Sequence, residues 1–444
     1  MPIFSRRRLQ AMLDDLTPLV ENRKLGDLKA RLENKRASQA VPAEFELGVL
    51  WALSTIGKLE VEPEWYGDRS PDAYTEGLFE GRPCIVEITA ISDARLSQED
   101  DMRRISARLC EVANKFRKGY GKHLYFQFGE ASGYTQYGYS RRRLVDKKFN
   151  PTEATIDLLQ NWLRQEGERE PLLIQQGMTR VAVTWREIPQ HSLFNFFSTM
   201  PAEAYSLEEN PLYEALTEKA RQLVNPDFTG LRCIVVGDAG SRMLRDQEPV
   251  IRSHGTVIAR QVVEYFLNEA EKEVDVVLLL SPFRDNHKFP PEPIRWRVSG
   301  FSRPGLELSD SGVKRFASLL PPARFEGYQA RTLQQQAAFK HNAHGWHVGT
   351  MITSGRPIMT IKISARALLD LLAGRITVER FQDATGLKDK PGAPNIFKHR
   401  LEQGDIISDI KIEPGGVDED DDWLVIELKE DPSAGLLKVK YSKD

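Results

Sequence analysis

The chain has 444 residues, of which 41% are hydrophobic and 28% are charged, and its formal net charge is −3. This length and composition are ordinary for a globular protein with two or three domains. Because the chain is nearly neutral, its overall field will not attract DNA or RNA, and a nucleic-acid site requires a local basic patch.

The cysteines and the hydropathy pattern bear on the compartment of the protein. Cys84, Cys110 and Cys233 are far apart and form no CxxC pair, which argues against a disulfide framework and a thiolate zinc site. We see no signal peptide and no stretch of about 18 apolar residues. We therefore expect a cytoplasmic protein with no membrane partner.

The first predicted elements are charged helices over 5–36, with Ser5 as a candidate N-cap, and a helix over about 43–57. The hydrophobic period then changes and favours a strand near 59–63. A turn-rich segment ends at Asp72, and a hairpin follows. The second strand of this hairpin, 84–91, is nearly all apolar and β-branched, which is typical of a buried strand.

Strands alternate with helices in the next part of the chain, which predicts a mixed α/β sheet. Residues 129–150 are predicted to be a loop, and 237–241 a tight turn rather than a phosphate-binding loop. The predicted helices span 97–118, 152–165, 210–224 and 256–272, and the predicted strands span 124–128, 178–185, 232–236 and 274–280.

Prolines and polar residues become frequent after about residue 285, which predicts a linker or irregular region over 286–350. Residues 351–444 are predicted to form a small α+β accessory domain. The acidic run Asp418–Asp422 is predicted to be a solvated turn between two of its strands. The predicted helices of this domain are 365–373 and 377–384, and its strands are 361–363, 406–412, 423–429 and 436–441.

Glu87 is the most unusual residue of the chain, because it lies inside the apolar run Ile85–Ile91. A buried carboxylate without a partner is costly, and a bound cation removes that cost. Mg²⁺ prefers oxygen ligands and often takes one or two carboxylates. Asp72 and Glu87 lie on the two arms of the predicted hairpin, so their carboxylates can converge on one ion.

The segment Phe45-Glu46-Leu47 through Val86-Glu87-Ile88-Thr89, with Pro71-Asp72 between, resembles the PD-(D/E)XK nuclease superfamily. The resemblance implies a restriction endonuclease-like mixed sheet flanked by helices over 41–285, with a variable insertion at about 120–205 and an N-terminal helical segment over 1–40. It also implies that Asp72, Glu87 and the carbonyl of Ile88 bind the metal. Glu46 would be the assisting helix carboxylate, with Glu44 as its competitor.

The chain departs from that pattern at Thr89, where the family usually has a lysine. Some members move this residue to a following helix, so the candidates for the catalytic role are Thr89 together with Lys219 or Gln222 of the predicted helix 210–224. Lys219 can equally be a solvated surface lysine. The structural alternative for the whole motif is that Asp72 is an ordinary turn residue and Glu87 pairs with a core arginine.

The best basic patch in the sequence lies between residues 134 and 148. Its tyrosines can stack on bases and its arginines can hold phosphates, although a flexible solvated loop is an equal alternative. The predicted nucleic-acid contacts are Tyr137, Tyr139, Arg141, Arg142 and Arg143.

Together these features predict a nuclease that depends on Mg²⁺ or Mn²⁺ and hydrolyses DNA or RNA, with a role in restriction or antiviral defence by analogy of fold. One alternative is a degenerate nuclease fold that only binds nucleic acid or acts as a scaffold. Another is a nuclease subunit that is active only with a defence-system partner protein. A homodimer is also compatible with the sequence.

Overall fold

A computed structural model gives the structure of the protein. It describes residues 3–34, 36–67, 70–79, 81–94, 96, 98–135, 138–165, 167, 169–187, 196–197, 203–246, 256–269, 273–284, 294–307, 310–335, 350–354, 358–389, 394–431 and 433.

The chain forms two compact units that interleave along the sequence. The first unit comprises Met1–Val61, Arg284–Trp296 and Ser318–Asp444, and the second comprises Glu62–Phe283 and Arg297–Ala317. The domain boundaries inferred from the sequence stay predictions.

The N-terminal part of the first unit consists of three helices and a short strand. The predicted N-cap is confirmed, because the Ser5 side chain accepts a hydrogen bond from the amide of Arg8. The elements are α1 (Arg6–Leu16), α2 (Asn22–Leu32), α3 (Ala37–Ile56) and β1 (Leu59–Val61).

The elements that follow alternate between strands and helices. In chain order they are β2 (Ala73–Phe79), β3 (Arg82–Ile91), α4 (Glu99–Phe116), β4 (Leu124–Phe128), β5 (Glu130–Thr135), β6 (Gly138–Arg143), α5 (Glu153–Leu163), β7 (Leu172–Gln176), β8 (Thr179–Trp185), β9 (Phe196–Phe197), α6 (Pro211–Gln222), β10 (Leu231–Asp238), α7 (Arg242–Arg245), α8 (Ala259–Asn268), β11 (Val276–Phe283), β12 (Arg295–Ser302) and α9 (Asp310–Leu319). Two short 3-10 helices lie at Glu64–Tyr66 and Tyr120–His123.

The central sheet of the second unit contains β2-β3-β10-β11-β12 in that order. β2 is antiparallel to β3, whereas β3, β10 and β11 are mutually parallel. Parallel neighbours require crossover connections, and α6 and α8 lie in these crossovers. Apolar residues of α6 and α8 pack in one core with residues of β3, β10 and β11. The predicted mixed α/β sheet flanked by helices is therefore present.

Residues 99–185 build a separate core between β3 and α6. The sheet order there is β7-β8-β4-β9, and α4 and α5 pack against it. The stretch 129–150 differs from the predicted loop, because β5 and β6 pair as an antiparallel hairpin. These two strands are almost entirely polar, so the alternation of apolar and polar residues that signals a strand is missing from their sequence.

The later part of the chain also contains more regular structure than its sequence predicts. The predicted irregular region 286–350 holds β12, α9 and α10 among its described residues, and the predicted strand 436–441 lies outside them. The remaining elements are α10 (Gly327–Gln335), β13 (Thr350–Ser354), β14 (Ile358–Ser364), α11 (Ala365–Leu372), α12 (Val378–Thr385), α13 (Ile396–Glu402), β15 (Asp405–Glu413) and β16 (Trp423–Glu430). Their strands form a sheet in the order β13-β14-β16-β15.

The acidic run 418–422 lies in the turn between β15 and β16, as its sequence predicts, but several of its carboxylates have partners and one is buried. Asp418 forms a two-point ion pair with the guanidinium of Arg8, with distances of 2.7 and 2.9 Å. Arg7 contacts Asp422 at 2.8 Å. Asp420 is buried and accepts a hydrogen bond of 2.8 Å from the amide of Arg6. The cationic partners lie about 400 positions earlier in the chain, so the sequence around the run does not indicate them.

Within the described ranges, no helix is long and apolar enough to cross a membrane.

Candidate active site

Asp72 lies immediately before β2 and is fixed against the neighbouring strand. Its Oδ2 accepts a hydrogen bond of 2.6 Å from the backbone amide of Ile88 on β3. Its backbone oxygen accepts one of 3.1 Å from the amide of Glu62. Pro71 precedes it with a restricted φ angle, which narrows the conformations of the turn. Asp72 is therefore held beside the strand that carries Glu87.

Glu87 lies at the centre of β3 with its side chain 0% exposed. Side chains alternate across a strand, so Glu87 points to the same face as Ile85 and Ile91, which pack in the core with α6 and α8. Its Oε1 is buried and has no hydrogen-bond partner among the described residues. An unsatisfied buried polar group of this kind costs about 1–3 kcal/mol, and more when it is charged.

The helix α6 supplies the cationic side chain of the site. Asn210 caps the helix by accepting hydrogen bonds from two backbone amides, and Pro211 occupies its first turn, where the missing N–H costs nothing. This helix packs on the sheet through an apolar stripe formed by Leu212, Leu216 and Ala220, continued by Leu223 just after its end. Lys219 and Gln222 lie beside that stripe, at the margin of the core.

Lys219 brings the predicted residues together. Its Nζ lies 2.5 Å from Glu87 Oε2, 3.3 Å from Asp72 Oδ2 and 3.2 Å from Gln222 Oε1. Three separate elements, the start of β2, the middle of β3 and α6, thus converge on one ammonium group. The alternative interpretation of Lys219 as a solvated surface lysine does not hold, since only 18% of its side chain is exposed.

The electrostatics of the site follow from burial and from the excess of carboxylates. Burial and, after it, the Asp72 carboxylate raise the pKa of Glu87 to about 9, although Lys219 partly offsets these two effects. Burial by itself lowers the pKa of Lys219, but the two carboxylates outweigh it, so the pKa is raised overall. Lys219 therefore carries its positive charge at neutral pH and acts as a hydrogen-bond donor, not as a base.

The other two predicted residues of β3 lie next to Glu87. Thr89 follows Glu87 by two positions, on the same face of the strand, and is half-buried. Ile88 contacts Asp72 through its amide. The predicted metal contact of the Ile88 carbonyl stays a prediction.

The two glutamates of α3 are held by other partners and belong to the first unit. Glu46 forms a two-point ion pair with Arg31, with distances of 2.5 and 2.6 Å. Glu44 is fully buried and accepts hydrogen bonds of 2.9 and 3.2 Å from the amides of Ile3 and Phe4. The assisting role expected for Glu46, or for its competitor Glu44, stays a prediction.

The residues predicted to contact nucleic acid lie on the β5–β6 hairpin, and their placement is mixed. Arg142 is exposed, whereas Arg143 is only 4% exposed and its pKa is lowered by burial. Tyr137 lies outside the described residues, and so do the side chains of Tyr139 and Arg141. The nucleic-acid contacts of this hairpin stay predictions.

The metal-binding capacity of the site depends on two carboxylates. Across the described part of the chain, no group of three or more His, Cys, Asp or Glu side chains is arranged to hold a metal ion. No protein-family model, curated protein or solved structure matches the chain. Any assignment of function therefore depends on the geometry of Asp72, Glu87 and Lys219.

Proposed function

We propose that the protein is a metal-dependent phosphodiesterase that cleaves DNA or RNA. One observation carries the proposal: Asp72 and Glu87 converge with Lys219, and a buried oxygen of Glu87 has no partner. Two carboxylates and a lysine, placed by two adjacent strands and a helix, are the groups that the PD-(D/E)XK resemblance implies. A restriction endonuclease-like core is the matching proposal for the fold.

The residues present suit a divalent cation. Mg²⁺ and Mn²⁺ prefer oxygen ligands, and Asp72 and Glu87 supply carboxylate oxygens. The unpartnered Oε1 of Glu87 is the oxygen whose burial such an ion would compensate. The residues that would hold the ion are Asp72, Glu87 and the carbonyl of Ile88. A bound ion would supply Lewis-acid stabilisation of the charge that develops on the phosphoryl oxygens.

In this proposal Lys219 takes the role of the lysine that the motif usually has at the position of Thr89. Its ammonium is charged at neutral pH and already lies within hydrogen-bond distance of both carboxylates. A fixed cation at this position can donate to a phosphoryl oxygen and stabilise the negative charge of the transition state. Gln222 accepts a hydrogen bond from Lys219 at 3.2 Å and thereby orients it. Thr89 can contribute a hydroxyl donor on the same face of β3.

The test is a cleavage assay with plasmid DNA, single-stranded DNA and RNA in the presence of Mg²⁺ or Mn²⁺. Wild type is compared with Asp72→Asn and Glu87→Gln, which keep the shape of each side chain and remove its capacity to bind a metal as a carboxylate. The control is Glu218→Gln, an exposed carboxylate next to Lys219 on α6. We expect cleavage that requires metal, is lost in both site variants and is retained by the control.

Two other outcomes have clear meanings. Cleavage that survives both Asp72→Asn and Glu87→Gln shows that this site is not the active site. If wild type does not cleave but gains thermal stability from Mn²⁺, and both variants lose this gain, the site binds metal but is silent in the isolated chain. That result favours the binding-module or partner-dependent alternatives. The role in antiviral defence stays a prediction.

A further inference from the structure

A group of stacked arginines and aromatic rings lies on the core formed by residues 99–185. The rings of Phe116 and Tyr120 have centroids 6.1 Å apart, and those of Tyr120 and Trp185 are 5.0 Å apart. His123 stacks on Trp185 at 4.5 Å with an interplanar angle of 6°. We call this group the arginine–aromatic cluster, and its members are Phe116, Arg117, Tyr120, His123, Arg164, Arg169 and Trp185.

Each arginine of the cluster lies over a ring. The guanidinium carbon of Arg169 is 4.3 Å from the Trp185 ring centroid, and that of Arg117 is 5.3 Å from the Tyr120 centroid. Arg164 lies 5.8 Å from the Phe116 centroid. A guanidinium that stacks on an aromatic face keeps its N–H donors in the plane at its edge, where they can bind a phosphate. Stacking also restricts the side chain, so less entropy is lost on binding.

The positive charge of these three arginines is not neutralised within the described structure. Their hydrogen bonds go to neutral groups: Arg117 to the Tyr120 hydroxyl, Arg164 to the Asn161 side chain, and Arg169 to backbone oxygens. None of the three forms an ion pair with a described residue. By contrast, other arginines among the described residues of the same unit pair with carboxylates, including Arg103, Arg104, Arg108, Arg232, Arg242, Arg245, Arg260 and Arg303.

The fold places further positive charge next to the arginine–aromatic cluster. Arg117 follows the last residue of α4, Arg164 follows the last residue of α5, and Trp185 ends β8, so the ends of three elements meet in the cluster. Lys118 and Lys122 lie beside it and are exposed. Glu170 and Glu187 are exposed neighbours in sequence, but neither forms an ion pair with it. A local patch of this kind is what a chain of net charge −3 needs to hold a polyanion.

We infer that the arginine–aromatic cluster binds the phosphodiester backbone of a nucleic acid strand. The inference takes the polymer class from the proposed function, but the binding itself requires neither metal nor cleavage. Repeated phosphates match several unneutralised cations on one surface, and half-buried rings between them can contact bases. DNA and RNA offer the same phosphodiester chemistry, and the probes below distinguish them.

The experiment measures binding of full-length protein to fluorescent single-stranded DNA, double-stranded DNA and single-stranded RNA, in EDTA, at several salt concentrations. Wild type is compared with the triple variant Arg117→Gln, Arg164→Gln, Arg169→Gln. The control triple, Arg108→Gln, Arg260→Gln, Arg303→Gln, removes the same charge from arginines that already have carboxylate partners.

The expected change in the salt dependence of the affinity follows from counterion release. Each phosphate contact with a single strand contributes a slope of about −0.7 to log K against log salt, so losing three contacts changes the slope by about 2. Between 50 and 200 mM salt, the affinity of wild type should therefore fall about 15-fold more than that of the triple variant. The control triple should keep the wild-type slope.

A second variant guards against a folding defect. Replacing the same three arginines with lysine keeps the charge but loses the planar fork, so we expect the wild-type slope with a lower affinity. Equal slopes for wild type and the glutamine triple overturn the inference, and so does the absence of wild-type binding to all three probes at 50 mM salt. If wild type still shows metal-dependent cleavage in one of these two cases, the binding inference has failed but the proposed function has not.

Discussion

Lys219→Met gives the sharpest test of the site geometry. The substitution removes the ammonium that contacts both carboxylates and leaves Glu87 buried without a cation. Removing one partner of a buried ion pair typically costs about 3–5 kcal/mol. We expect about 3 kcal/mol, because the raised pKa of Glu87 lets this carboxyl bind a proton and become neutral. In a unit of roughly 250 residues this lowers Tm by about 6–12 °C.

The same substitution should have the opposite effect on metal binding. The ammonium of Lys219 repels a divalent cation, so its loss should lower the Kd for Mn²⁺ while cleavage falls about 100-fold or more. Each tenfold decrease in Kd adds about 1.4 kcal/mol of stabilisation at saturating metal. Mn²⁺ should therefore raise the Tm of Lys219→Met more than that of wild type.

The assay is thermal unfolding of wild type, Lys219→Met, Lys219→Arg and Lys115→Met, each in EDTA and in Mn²⁺. Lys219→Arg keeps the charge and should lose much less stability. Lys115 is exposed on α4, so Lys115→Met should change the free energy of unfolding by no more than about 0.5 kcal/mol. The reasoning is refuted if Lys219→Met unfolds like Lys115→Met and responds to Mn²⁺ as wild type does.

Three further predictions concern the scaffold. Burial raises the pKa of Glu44 to about 7 from 4.5, so its contribution to stability is present below about pH 4.5 and is lost as pH rises through 7. Urea unfolding should show that Glu44→Gln reduces the loss of stability between pH 5 and pH 8 by about 2.5 kcal/mol, and an unchanged pH profile contradicts this. Gly312→Ala brings a Cβ against the carbonyl of Leu78 and should cost about 1–3 kcal/mol of stability. Gly26→Ala adds a Cβ that meets nothing within 4 Å and should stabilise α2 by up to about 1 kcal/mol. A Tm of Gly312→Ala above that of Gly26→Ala would contradict this description of the packing. Arg8→Gln breaks the two-point pair with the acidic run and should cost about 1 kcal/mol at low salt, and a loss that does not shrink in high salt would show that the pair is not its cause.

The sequence by itself predicts the residues of the candidate site and the local elements that carry them. The apolar, β-branched run around Glu87 predicts a buried strand, and a lone carboxylate within such a run signals a special role. The spacing of Leu212, Leu216 and Ala220 predicts a helix, and Lys219 lies beside that stripe. These signals are local, because side-chain period and capping depend on neighbouring residues only.

Only the tertiary structure decided which of these residues meet. The contact between Lys219 and Glu87 joins residues 132 positions apart, and nothing in either segment specifies the other. The pairing of Arg6–Arg8 with the acidic run joins residues that are far apart in the chain, so the acidic run looked solvated in isolation. The same holds for the arginine–aromatic cluster, whose members come from the ends of separate elements. Ion pairs and ring contacts join residues that are distant in the sequence. The periodicity of hydrophobic residues along the chain contains no information about these partners, because only folding brings them together.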